Sequence, residues 1–312
     1  MINHGSGPKP LIKIKPYNLA VIELLSAGII WGGSFTLVRW ALESFSASTL
    51  IFWRFILAFI VGEVGFFIFN RGLFKRSFKD AKLAMWGGLF LGVSLFLQTY
   101  GLNFTTATNS GFITSLYVVL IPIILAFFFK QKFKLRHMSL SLLAFAGMGF
   151  LLELSDLHLE KGELLTLGAA LTAAFQIIYV GRYASQAVSA FRFNTYQTFW
   201  SWITLLPFLM VETTTQNIPL WPENPSLKAI LSVVTLALAV SLLAFYLQVR
   251  AQRVLSTTTS SMLCLLEGPF AFFFAAFFLG ERMNWVQAFG AFCILLSCGL
   301  SVFLDRPKHG HS

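Results

Sequence analysis

The chain has 312 residues, of which 56% are hydrophobic, 16% aromatic and only 12% charged, with a formal net charge of +10. Soluble domains carry about 25% charged residues, so this chain lacks the polar surface to coat a globule of its size. Together with a mean hydropathy of +0.73, this excludes a disordered chain, a disulfide-stapled secreted domain and an ordinary cytosolic enzyme. What remains is an all-α polytopic membrane protein whose partner is the lipid bilayer.

The first 16 residues carry Lys9, Lys13 and Lys15 and no acid, like the n-region of a signal peptide. The apolar segment behind them is too long for an h-region and has no cleavage site, so it reads as a retained first span. A spanning helix needs roughly 20 apolar residues. Apolar runs bounded by loop signals predict ten, at 18–40, 48–69, 82–102, 107–129, 138–154, 163–183, 193–212, 228–249, 256–279 and 285–304. The runs are continuous, not alternating, which argues against strands. Thr105, Thr106, Thr108 and Asn109 open the fourth, and Ser256 to Thr259 open the ninth, residues that satisfy free N–H groups at a helix start. Cys264, Cys293 and Cys298 fall inside apolar runs without CxxC spacing and read as packed thiols.

Basic residues set the orientation. With the N-terminus inside, eighteen of the 23 Lys and Arg residues fall in inner segments, and only Lys161, Lys228 and Arg282 fall in outer ones. Excess positive charge marks cytoplasmic loops, so both termini are expected in the cytoplasm. The net charge is thereby explained without nucleic acid as a partner.

The sequence also repeats. Shifted by 150, residues 97–149 lie over 247–299 without a gap: Leu97-Gln98 meets Leu247-Gln248, Thr108 and Ser110 meet Thr258 and Ser260, and Leu116 meets Leu266. At a shift of 140, Glu23-Leu24-Leu25 with Gly28 and Phe35 meets Glu163-Leu164-Leu165 with Gly168 and Phe175. Each half then holds five spans. Five is odd, so the second half enters the membrane inverted, an arrangement typical of secondary transporters.

These residues resemble a known family. Trp31-Gly32-Gly33-Ser34-Phe35, Arg54, the stretch Gly101 to Phe112, and Leu265-Leu266-Glu267-Gly268-Pro269 followed by Leu279-Gly280-Glu281-Arg282 are similar to the motifs of EamA-type transporters of the drug/metabolite transporter superfamily. The family's usual glutamate-proline pair is interrupted here by Gly268. The resemblance implies ten transmembrane helices as two inverted five-helix repeats around a central cavity. On this reading residues 1–17 are a cytoplasmic segment, 18–154 and 163–304 the two repeats, and 305–312 a cytoplasmic tail.

Ionisable groups inside a span cost about 2.5–3.5 kcal/mol on insertion scales, so they are the first candidates for function. Glu267 is the deepest, about 16 Å into its span at 1.5 Å per residue. It suits a cationic or amino group, or a coupling proton; the alternative is a carboxyl satisfied by a neighbouring helix terminus or hydroxyl. Arg54 offers a carboxylate or phosphate clamp, or a side chain that snorkels outward. Glu23 and Glu63, near the inner ends of their spans, are expected to pair with Arg71 or Lys82. Tyr117 matches Glu267 under the 150-residue shift and is expected to face it across the pseudo-symmetric centre. Trp31, Ser34, Phe35, Gln98, Gln176, Tyr179, Gln197 and Gln248 complete the substrate-binding candidates, with helix packing or interfacial bonding as the competing role of each. Gly88 and Gly92 form a GxxxG that predicts close helix packing.

The five histidines lie in termini or loops, no span interior holds a lysine, and no GxxxxGK[ST] occurs. A metal site, a histidine-based hydrolase and a nucleotide-driven pump are therefore not expected, nor is any cofactor. The expected function is a non-enzymatic secondary carrier in a bacterial plasma membrane. It would move a small polar or amphipathic metabolite, amino-acid-like or drug-like, by alternating access coupled to a proton or to exchange, with efflux favoured. A channel or structural subunit, and then an intramembrane enzyme acting on lipid-linked substrate, are the alternatives. A homodimer is left open.

Overall fold

The computed structural model describes residues 15–105, 107–132, 134–153, 160–215, 217–279 and 283–306. Every regular element among them is helical. Helices α1 (Pro16–Leu42) and α2 (Ala47–Phe69) are followed by the single turn α3 (Arg71–Phe74), a 3-10 turn (Arg76–Phe78) and α4 (Lys79–Gly101). Then come α5 (Ala107–Ser115), α6 (Tyr117–Phe127), α7 (Leu135–Leu151), α8 (Lys161–Tyr183) and α9 (Ala190–Thr215). α10 (Leu227–Thr235) passes through a π-helical segment (Leu236–Ala244) into α11 (Phe245–Ala251), and α12 (Thr257–Cys264), α13 (Glu267–Leu279) and α14 (Trp285–Asp305) complete the chain. Each of the ten expected spans overlaps helix among the described residues.

Seven stretches are long and apolar enough to cross a membrane, and Leu135–Leu151 is a shorter apolar helix. The solvent of their outer faces is legible in the side chains. α2 exposes Ile60, Val61, Val64, Phe67 and Ile68 along one stripe while burying Phe55, Ala58, Gly62 and Phe66 on the other. A helix apolar all round has no water-facing side. α9 is long enough, at 26 residues, but buries Arg192, Asn194, Gln197 and Ser201, so its inner face is polar.

The helix ends carry the expected chemistry. Ser46, Ser226 and Ser256 each accept the N–H three residues on, and Asn284 with Gln287 forms a reciprocal capping box. Two helical stretches break in mid-course where the sequence analysis expected continuity. At Leu116, between α5 and α6, and at Leu265-Leu266, between α12 and α13, the bonding tightens to three-residue spacing, as in Leu116 N–H to Ile113 O and Leu266 N–H to Leu263 O. Pro269, which lacks an N–H and crowds the carbonyl of Leu265, accounts for the second interruption, while Pro122 lies inside α6, past the first.

Packing runs mainly between the two halves of the sequence. α4 lies against α8 and α9, α7 against α14, α2 against α9, and α1 against α10 through α13. Small residues permit these approaches. The expected GxxxG is such a place: a β-carbon on Gly88 would stand 2.6 Å from Gln197 O, and one on Gly92 would stand 2.8 Å from Ser201 O. Cys264, Cys293 and Cys298 are buried and free.

Candidate functional site

Tyr117 and Glu267, paired by the 150-residue shift, are each the first residue of a helix that starts inside an apolar stretch. Each follows a tightened turn: Val119 and Leu120 N–H bond Leu116 O at the start of α6, and Gly268 N–H bonds Leu265 O and Phe270 N–H bonds Leu266 O at the start of α13. Tyr117 is buried and lies within the electrostatic reach of Glu267, together with Cys264 and Cys298. Glu267 is partly accessible, and its carboxylate makes no hydrogen bond or ion pair among the described residues. α1 presses on this turn. A β-carbon at Gly32 would stand 3.0 Å from Glu267 O and 2.8 Å from Ala271 N. Gly268, which separates Glu267 from Pro269, packs under the Met148 side chain, where a β-carbon would meet Cε at 2.6 Å.

On α1, Trp31 packs against Phe245 with ring centroids 5.3 Å apart and planes tilted by 58°, one helical turn from Gln248. Gln248 begins a buried amide chain. Its Nε2 donates to Gln176 Oε1 at 3.4 Å, Gln176 Nε2 donates to Gln197 Oε1 at 3.2 Å, and Gln197 Nε2 approaches Asn194 Oδ1 at 3.5 Å. Asn194 Nδ2 then donates to Ser241 O and Leu242 O of the π-helical segment at 3.1 and 2.9 Å. The indole N–H of Trp31 and Oε1 of Gln248 are buried without a partner among the described residues. Arg54 closes the far end: it is 6% exposed, and its Nε donates to Ser241 Oγ at 2.6 Å. The outward snorkel that the sequence left open for Arg54 is therefore not adopted.

Three candidates bond elsewhere. Gln98 donates to Thr114 Oγ1 at 3.0 Å, Tyr179 to Leu83 O at 3.0 Å, and Ser34 to Trp31 O of its own helix at 2.7 Å. The side chain of Phe35 lies outside the described residues. Gln176, Gln197 and Gln248 are thus brought together, with Arg54 joined through Asn194 and Ser241, two residues that the sequence reading passed over. Replacing Gln176 by leucine strands an amide on each side of it. The expected cost is about 2 kcal/mol, seen as a lower unfolding temperature in detergent. Gln98→Leu, which removes one partly exposed bond, should cost clearly less; equal losses would mean the chain is not a cooperative unit.

The partners of the inner carboxylates correct the sequence reading. Glu63 pairs with Arg192 and Glu23 with Arg250, at 2.5 Å for the latter, instead of with Arg71 or Lys82. Arg192, counted as a loop charge, is fully buried in α9, where it also donates to Ser77 Oγ at 3.1 Å and Tyr196 Oη at 2.7 Å. Asp80 accepts Val188 N–H and Ser189 N–H at the start of α9. Among the described residues no group of three or more His, Cys, Asp or Glu is arranged to hold a metal.

The arrangement offers fixed donors, acceptors and single charges in a membrane interior, which suits recognition of a small polar molecule. Comparison with known proteins agrees with that character. The model of the EamA-like transporter family matches the chain twice, at residues 18–152 and 160–303. An uncharacterised transporter of Archaeoglobus fulgidus is 34% identical over 282 residues, covering 89% of this chain and 84% of the relative. The uncharacterised transporter YetK of Bacillus subtilis is 24% identical over 292 residues, covering 91% and 87%. A solved crystal structure superposes with a TM-score of 0.73 at 16% identity, over 92% of this chain and 99% of the other, a likeness of fold. The chain is a multi-pass integral membrane protein and belongs to the EamA-like transporter family.

Proposed function

We propose that the protein is a secondary carrier that moves a small polar or amphipathic metabolite outward by alternating access. Its ten spans form two inverted repeats, 18–154 and 163–304, in a plasma membrane with both termini cytoplasmic. The observation that carries this reading is the pair of interrupted helices. Tyr117 and Glu267 open α6 and α13 at equivalent positions of the repeat and lie within electrostatic reach of each other. Half-helix N-termini at mid-membrane are the elements from which secondary transporters build substrate and ion sites. The packing supports the duplication as well. α4 on α8 has its counterpart in α1 on α10 and α11, and α5 with α6 on α8 has its counterpart in α1 on α12 and α13.

Glu267 is the coupling residue in this scheme, because it is the spanning carboxylate that no side chain among the described residues occupies. It alternates between a proton and the substrate or its positive group. The test is counterflow in proteoliposomes of a compound first found by its stabilisation of the purified protein. A carrier saturates and is accelerated by substrate on the far side, whereas a channel does neither. Glu267→Gln should slow transport by about tenfold or more and remove its dependence on pH, since loss of a group acting in proton transfer costs about 10²–10⁴-fold in comparable chemistry. Unchanged rate and pH profile would refute the coupling role.

A further inference from the structure

The enclosed charges of the described residues are met by an opposite charge or by hydrogen-bond donors, with two exceptions. Glu23 is paired with Arg250 and Glu63 with Arg192. Glu163 accepts from Thr105 and Asn109, Asp80 from two backbone N–H groups, and Asp305 from Ser256 and Thr259 beside His137. Glu267 is one exception. The other is Arg54, a cation 6% exposed with no carboxylate in reach among the described residues.

An unpaired guanidinium in a membrane interior is expensive, and the way it is held says what it is for. Ser241 Oγ takes Nε at 2.6 Å, so one edge of the guanidinium is fixed. Ser241 is itself held in a π-helical segment whose carbonyls are gripped by Asn194. Nη1 and Nη2 accept no such duty: neither donates to a described residue. Two parallel N–H donors on a rigid plane match the two oxygens of a carboxylate. The site supplies a single positive charge among neutral hydroxyl and amide groups, which balances a monoanion and not a phosphate dianion.

We propose that Arg54 binds the carboxylate of the transported molecule through its two terminal nitrogens, and that Ser241 and Asn194 are positioning residues that set the plane of the guanidinium. The substrate class is thereby small monocarboxylates. The assignment rests on the carrier reading for its transport meaning, while the binding step stands on its own.

The experiment is thermal unfolding of the purified full-length protein in detergent with matched probes. These are the common L-amino acids and a set of simple aliphatic and aromatic monocarboxylates, each compared with its primary amide at equal concentration. At least one carboxylate should raise the unfolding temperature while its amide does not. Arg54→Gln should weaken that binding by about 10–100-fold, as expected for a hydrogen-bonded charge pair. Arg54→Lys, which keeps the charge and loses the fork, and Ser241→Ala, which frees the plane, should each weaken it less. The two milder variants carry the test if Arg54→Gln does not fold. The inference is overturned if no carboxylate stabilises the wild type, if the amides stabilise equally, or if the Arg54 variants keep the full shift. Counterflow separates the two readings. A carboxylate that binds through Arg54 but is never exchanged defeats the carrier and leaves this assignment standing. Saturable exchange of neutral or cationic compounds that ignores Arg54→Gln does the reverse.

Discussion

Gly290→Leu should leave little folded protein in the membrane, with a loss of at least about 3 kcal/mol in what survives extraction. Overpacking a core usually costs about 1–3 kcal/mol because neighbouring side chains can shift. Here the neighbour is backbone. A β-carbon at Gly290 would stand 2.5 Å from Gly147 O and 2.9 Å from Leu151 Cα, and one at Gly147 would stand 2.8 Å from Gly290 O. α7 and α14, one of the closest helix pairs in the molecule, would have to separate. Gly299 on the same helix is the control, since nothing lies within 4 Å of a β-carbon there. Gly299→Leu should be neutral, or slightly stabilising because leucine suits a helix better than glycine. Yield after size-exclusion chromatography and the unfolding temperature read both. Comparable behaviour of the two variants would show that the α7–α14 contact is not limiting.

Arg192→Met is expected to cost about 3 kcal/mol. The guanidinium is fully buried, bound by Glu63, Ser77 and Tyr196, and ringed by Phe66, Phe74 and Phe78 at 5.0, 4.7 and 5.6 Å. Breaking a buried pair from one side costs about 3–5 kcal/mol, chiefly because the other charge is left unpaired. Glu63 keeps some access to solvent, which places the expectation at the low end. Glu63→Gln should recover part of the loss in the Arg192→Met background, a coupling of about 1 kcal/mol or more. Lysine at 192 should fail as a substitute, because one ammonium cannot replace a planar fork with three partners. Additive effects of the two substitutions would mean that the pair is incidental.

How far the sequence reaches is clear from these same residues. Helix positions were legible because a spanning run of apolar residues leaves the backbone no alternative to helix. The twofold match of the family model to the chain was legible as a repeat at shifts of 150 and 140 residues, because duplication preserves register. Gly88 and Gly92 were legible through their spacing. Gly147 and Gly290 were not, since they meet from different helices and neither carries a local signal. Arg192 was misread for a related reason. Two residues inside α9, it looks like one more basic residue in an inner loop, and its burial is imposed by Glu63 and Ser77, both more than 110 residues away. The π-helical segment and Asn194 were likewise invisible, because a π turn has no composition of its own.

The pairing of Glu63 with Arg192 also bears on how the protein is made. The two are separated by 129 residues, so at about 5–20 residues per second a ribosome takes on the order of ten seconds to deliver the cation after the acid. During that interval α2 sits in the bilayer with an unmatched carboxylate, and α4 has neither α8 nor α9 to lie against. The first half of the chain thus reaches its full set of partners only when the second half has been made.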